Sequence, residues 1–193
     1  MSTLSTFAGG GGSLAKYQFQ LFTSSGTFTL PAKLVGDTVQ VTGIGGGQGG
    51  NRGASTLNSY GGNSGEATYA YPVVITADVS VVVGAGGARR TGSTGAGTVG
   101  GSSTFSTLTL RGGLSTADIG AKGGNDSNSR YPKSWSQPLA AAETYYVGRG
   151  LGGGGLLIDE VTYGTGGTGD TNSDNNSTNG SSGVVLVEWM EEV

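Results

Sequence analysis

The chain has 193 residues, a net charge of −3 and 41 glycines, a glycine share about three times the ordinary value near 7%. With only four prolines and no Gly-X-Y period a collagen triple helix is excluded. The absence of cysteine and histidine excludes disulfide scaffolds, Cys/His zinc sites and any triad built on those residues.

Residues 1–16 lack the charged start and continuous apolar stretch of a signal peptide. They are expected to form a flexible arm ahead of a β domain spanning 17–193. Tyr17–Phe22 alternates Tyr17, Phe19 and Leu21 with Gln18 and Gln20, the period of a strand. Ser25-Gly26 reads as a tight turn, after which Thr27–Leu30 returns as a second strand stopped by Pro31. Val39, Val41 and Ile44 follow at near alternation and run into glycine. Glu66–Val74 is rich in β-formers but holds Pro72, which has no N–H to donate and so belongs at a sheet edge or a bulge. Val79–Val83 reads as a buried strand, Ser103–Leu110 as one carrying Phe105, Leu108 and Leu110, and Gly183–Met190 as the last. The one helical pattern, Pro138–Glu143, is a turn or two at most. No run reaches the 18 apolar residues of a membrane span. About seven short strands between turn-rich segments predict an all-β fold, an antiparallel β-sandwich with glycine-rich loops. Low net charge sets the chain apart from disordered low-complexity sequences, which combine high charge with few β-branched residues.

The glycine blocks carry a second signal. Gly92/Gly95, Gly97/Gly100, Gly150/Gly153, Gly164/Gly167 and Gly166/Gly169 are spaced by three, the polyproline-II repeat in which glycine lets backbones pack side by side. Two readings stay open: packed polyproline-II segments, or the pairs any glycine-dense stretch yields.

Motifs for chemistry fail on inspection. Gly45–Gly50 matches G-x-G-x-x-G after a strand, but no amphipathic helix opens behind it to meet a pyrophosphate, so no dinucleotide cofactor is expected. Asp170, Asn172 and Asp174 alternate like calcium ligands, yet Asn175 and Ser181 stand where such a loop needs glycine and glutamate. A solvated polar loop is the better reading, and no metal is expected. Carboxylates are thinly spread, and nothing recommends the pair a glycosidase needs. A pI near 4.8 argues against nucleic acid. No catalytic residue is assigned, and the chain is expected not to be an enzyme.

Candidate binding residues are aromatic and basic. Tyr131, Trp135, Tyr145 and Tyr146 lie in a glycine-poor stretch with Arg149, and Arg89 and Arg90 sit in an earlier glycine-rich segment. Tyr, Trp and Arg offer rigid contact area with a polar handle. The alternative is that the aromatics roof a small core and that the arginines keep a loop soluble.

Several motifs in order resemble the glycine-rich tip domain of tailed-bacteriophage tail fibres. They are Gly9–Tyr17, Phe22–Ala32 (FTSSGTFTLPA), Val39–Gly47 (VQVTGIGGG), Val81–Gly87, Gly100–Phe105 and Ser182–Trp189. The resemblance implies a virion protein acting outside the cell, which binds a bacterial glycan, lipopolysaccharide or surface protein through distal loops. It also implies other tail proteins as partners, a homotrimer or a separate small tip protein, and no membrane insertion. A structural virion subunit without receptor contact is the competing expectation.

Overall fold

The computed structural model describes residues 14–52, 59–92, 95–113, 144–145, 155–169 and 177–193. Its strands are β1 (Ala15–Phe22), β2 (Gly26–Phe28), β3 (Thr38–Ile44), β4 (Ser59–Tyr60), β5 (Ala67–Val74), β6 (Val79–Val82), β7 (Ser103–Phe105), β8 (Leu108–Leu110), β9 (Thr144–Tyr145), β10 (Leu156–Ile158), β11 (Val161–Tyr163) and β12 (Val184–Glu192). There is no helix among the described residues. The Pro138–Glu143 pattern and the arm residues 1–13 lie outside them, and β1 begins at Ala15.

Two four-stranded antiparallel sheets, ordered β1-β12-β3-β5 and β2-β6-β7-β8, carry the fold. Strand alternation sends Val39 and Val41 of β3 and Val185 and Val187 of β12 to one face of the first sheet. There they meet Phe28, Val79, Val81, Phe105, Leu108 and Leu110 of the second sheet in a single buried cluster. Phe28 sits at its centre, edge-to-face with Phe105 (5.7 Å) and with Trp189 (5.1 Å), the geometry favoured by the ring quadrupole. Sheet packed on sheet over one core makes this the antiparallel β-sandwich expected from the sequence. On the other face of the first sheet, Ile44, Ala67 and Val184 are capped by Leu156, from the β10–β11 hairpin.

Three details differ from the strand-by-strand expectation. Ser25-Gly26 does turn the chain, but β1 pairs with β12 and β2 with β6. The turn therefore moves the chain between sheets instead of closing a hairpin. The Ser103–Leu110 stretch is two strands, because Ser106 adopts φ 52° and Phe105 pairs with Leu108. The β10–β11 hairpin turns on Asp159 (φ 49°) and Glu160 (φ 64°), a pair of positive angles usually taken by Asn-Gly. Pro72 lies on an edge strand, in register opposite Gln40, and the bulge of that strand falls beyond it between Tyr71 and Thr68, so it meets the edge expectation.

Candidate functional site

Among the described residues, seven glycine-rich segments gather at one end of the sandwich. Strand β3 runs on into 45–50, β6 into 84–90, β8 into 111–113 and β11 into 164–169. Segments 61–66, 97–102 and 177–183 come back and enter β5, β7 and β12. Four segments thus leave the sheets and three return.

The 45–50 segment is the axis of this array. Its N–H groups donate in rotation to three neighbours: Gly45 and Gln48 to Glu66 and Asn63, Gly46 and Gly49 to Gly101 and Thr98, Gly47 and Gly50 to Ser181 and Thr178. The target repeats every third residue, which is the three-fold screw of a polyproline-II helix. Its carbonyls accept from the other three segments. Gly113 donates to Gly46, Gly87 and Arg90 to Gly47 and Gly50, and Gly167 to Gln48. One extended segment is therefore hydrogen-bonded to six others.

The six close a ring. Gly62 and Gly65 donate to Gly167 and Gly164; Ser181 and Thr178 donate to Thr165 and Thr168; Gly180 and Gly183 donate to Gly87 and Gly84. Thr98 and Gly101 donate to Ala88 and Ala85, Gly100 to Gly113, and Glu66 to Arg111. Around the ring, returning segments alternate with leaving ones. The central segment donates only to the returning three and accepts only from the leaving three. This is a hexagonal bundle of seven glycine-rich polyproline-II segments. Gly97/Gly100 and Gly164/Gly167 take part in this packing, whereas Gly92 and Gly95 have positive φ (81° and 145°) and Gly150/Gly153 lies outside the described residues.

Glycine is required because the seven backbones touch. A Cβ built on Gly46 would stand 2.1 Å from the Ala85 carbonyl oxygen, and one on Gly49 2.0 Å from that of Ala88. On Gly97 and Gly100, the sequence pair spaced by three, it would meet the carbonyls of Gly49 and Gly46 at 2.3 and 2.0 Å. Neighbouring backbones occupy those spaces, so no rotamer change relieves the overlap. Where a segment faces outward, small hydroxyls replace glycine. Ser181 Oγ accepts from Thr165 N–H (2.8 Å), Thr178 Oγ1 from Thr168 N–H (2.9 Å) and Thr98 Oγ1 from Ala88 N–H (2.7 Å). At the base, buried Glu66 accepts from the Arg111 backbone N–H (3.1 Å) and guanidinium Nε (3.2 Å), joining two segments by charge.

Two amide side chains extend the ring on one side. Beyond Gly113, the Asn63 N–H that faces the 111–113 position donates to Gln48 Oε1 at 3.1 Å, and the Gly97 N–H donates to Asn51 Oδ1 at 2.9 Å. Gln48 Nε2 returns a bond to the Gly97 carbonyl at 3.4 Å, and Asn51 Nδ2 to that of Gly61 at 3.3 Å. Gln48 is fully buried and is the one non-glycine residue of the 45–50 axis. The failed dinucleotide match is therefore the core of the bundle.

The far end of this bundle is a pole formed by the tips of its segments. Connections 53–58, 93–94 and 170–176 are bounded by Arg52, Ser59, Gly92, Gly95, Gly169 and Ser177, all attached to bundle tips. Arg52 and Gly95 form a two-way backbone bridge there. Leu14 and Val193 are hydrogen-bonded to one another at the opposite end of the sandwich. Arg89 and Arg90 are exposed at the pole. Arg89 Nη1 donates to the Ser177 carbonyl (2.9 Å), Ser177 Oγ donates to the Arg90 carbonyl (3.3 Å), and Asn179 Oδ1 accepts from the Arg89 N–H (2.9 Å). Among the described residues, Arg52, Arg89 and Arg90 are the charged groups at this end. The described carboxylates lie on the sandwich, on the β10–β11 turn (Asp159 and Glu160) or, like Glu66, at the bundle base. Tyr145 belongs to β9, whose pairing with β4 (Ser59 opposite Tyr145) brings its backbone to the same pole. Tyr131, Trp135, Tyr146 and Arg149 lie outside the described residues, as do Asp170, Asn172 and Asp174. Among the described residues no group of acidic side chains could hold a metal ion.

A family model described as a glycine-rich domain matches residues 23–159, well over half of the chain. The chain belongs to this glycine-rich domain family. The matched span contains five of the seven bundle segments. Segments 164–169 and 177–183 and strands β1 and β12 lie outside the span, although the last two segments are needed to close the ring. No curated protein matches this glycine-rich domain.

Proposed function

We propose that this glycine-rich protein is a bacteriophage tail-fibre tip that binds a receptor on the bacterial surface without chemical turnover. The observation that carries the reading is the separation of poles. The segment tips, with Arg52, Arg89 and Arg90, gather at the end of the bundle, while Leu14 and Val193 meet at the other end of the sandwich. Loops on a rigid scaffold are the usual carriers of specificity. Arg89 and Arg90, exposed side by side at the tip of segment 84–90, favour an acidic glycan or lipopolysaccharide, because guanidinium groups pair with carboxylate and phosphate in a planar fork. The hydrogen bonds between Arg89, Arg90, Ser177 and Asn179 support the reading by tying two loop stems together before any ligand arrives.

Adsorption blocking tests it. Purified protein at saturating dose should compete with phage for host cells, and lipopolysaccharide from those cells should bind it directly. Unchanged adsorption at saturation would remove the receptor role and leave a structural virion subunit.

A further inference from the structure

The free edges of the two sheets are not equivalent. Strand β5 is blunted by Pro72 and by the bulge at Ala70 (φ 45°), and β2 and β8 have three residues each. These are the usual devices against edge pairing. Strand β1 has none of them. Its eight residues run in unbroken register with β12 from Ala15 opposite Glu192 to Phe22 opposite Val185.

Which backbone groups it presents follows from the ladder. Leu14 accepts from the Val193 N–H, so even-numbered residues of β1 face β12 and the odd-numbered ones face away. The N–H and C=O groups of Ala15, Tyr17, Phe19 and Leu21 therefore point off the free edge. Among the described residues nothing bonds to them. On the exposed face of the same strand Tyr17 is 55% and Phe19 63% exposed.

The residue pattern of this edge is self-complementary. Around Phe19, the run Tyr17-Gln18-Phe19-Gln20-Leu21 has the same character read in either direction. We infer that β1 pairs antiparallel with β1 of a second copy of this chain across a two-fold axis at Phe19. Phe19 then meets its own symmetry mate, Tyr17 meets Leu21 of the second copy and Gln18 meets Gln20. Every pair is apolar on apolar or amide on amide, as an isologous interface demands. Lys16, the only charge on the strand, falls near the end of the ladder opposite Phe22. The two four-stranded sheets become one of eight strands, and the edge is removed. The inference is independent of what the distal loops bind.

The chain contains no cysteine, which makes the test clean. Full-length protein at tens of micromolar should sediment at about 38 kDa, twice its 19.0 kDa. Phe19→Lys, which sets two like charges on the axis without removing a bond to β12, should sediment as a monomer with an unchanged circular dichroism spectrum. Phe19→Cys should form an intermolecular disulfide under mild oxidation, since hydrogen-bonded cross-strand Cα atoms about 5.5 Å apart fall within disulfide range. It should do so at least tenfold faster than Val74→Cys, whose residue is equally exposed at 59% but lies on the blunted edge. A monomeric wild type, a three-fold mass, or equal oxidation rates for the two cysteine variants would overturn the inference.

Discussion

Gln48 and Asn51 stand three residues apart on the central polyglycine segment with their side-chain amides 3.5 Å from one another. Together they occupy a groove in which the carbonyls and amides of two neighbouring segments face each other. An amide side chain carries the same donor and acceptor as a peptide group. Placed at the three-residue period of the helix, two of them present those groups in the direction a backbone would. The bundle keeps its hydrogen bonds beyond Gly113 by this substitution.

Gln48→Leu should therefore destabilise the protein by about 2 kcal/mol despite similar volume. It removes the Gln48 Oε1 acceptor of the half-buried Asn63 N–H, at about the cost of a lost hydrogen bond. Hydrogen exchange is the direct readout: the Asn63 amide should lose protection, while the Gly97 amide, which donates to Asn51 Oδ1, should lose less. Gln48→Glu retains the acceptor for Asn63 and should keep that amide protected.

Backbone contact predicts a sharp contrast among glycines. A Cβ at Gly100 would lie 2.0 Å from the Gly46 carbonyl oxygen, whereas at Gly26 it would meet the Phe22 ring at an ordinary 3.6 Å. Gly100→Ala should cost about 3 kcal/mol, the upper range for forcing atoms into a packed interior. That lowers the melting midpoint by roughly 6–12 °C for a chain of this size. Gly26→Ala should move it little. Calorimetry on the two variants decides the matter.

The Tyr17 hydroxyl donates to the Glu188 carboxylate. Burial, that hydrogen bond, and the charges of Glu188 and Tyr69 push its pKa up from 10.0 to about 12. Both states are protonated well below pH 10. As pH rises toward 12 the unfolded chain ionises first, so stability is lost across that window. Comparing denaturant midpoints at pH 9 and 11.5 should show a drop in the wild type that is smaller in Tyr17→Phe.

At the distal pole, Arg89→Ala combined with Arg90→Ala should weaken lipopolysaccharide binding at least tenfold, with the salt dependence of binding reduced. Removing the Arg89 bond to the Ser177 carbonyl should cost only about 1 kcal/mol of stability. A large loss of binding with a small thermal shift separates recognition from folding. Surface plasmon resonance at two ionic strengths measures both effects.

Much of the sandwich is visible in the chain itself. Alternation at Val39 and Val41 sends both into the core, whereas Ile44, past the register shift, falls on the opposite face; the missing N–H of Pro72 points to an edge or a bulge, and the structure makes β5 an edge. Glycine spaced by three is the local requirement of a polyproline-II packing, and Gly97/Gly100 shows it directly. Other features depend on partners distant in sequence. Phe22 pairs with Val185 rather than with a strand across the Ser25-Gly26 turn, because a hairpin signal specifies a turn and not the strand it serves. Positive φ at Asp159 and Glu160 is imposed by the hairpin and invisible in those residue types.

The sequence by itself determined an all-β glycine-rich domain, the faces of its strands, and the absence of histidine or cysteine chemistry. Each of those follows from residue type or from a period of two or three. Only the tertiary structure decided that seven glycine blocks form one hexagonal bundle, that Gln48 and Asn51 complete it, and that Arg52, Arg89 and Arg90 share a pole. A polyproline-II helix has no internal hydrogen bonds, so its stability and its position reside in its neighbours. No stretch of the chain read alone can supply those neighbours.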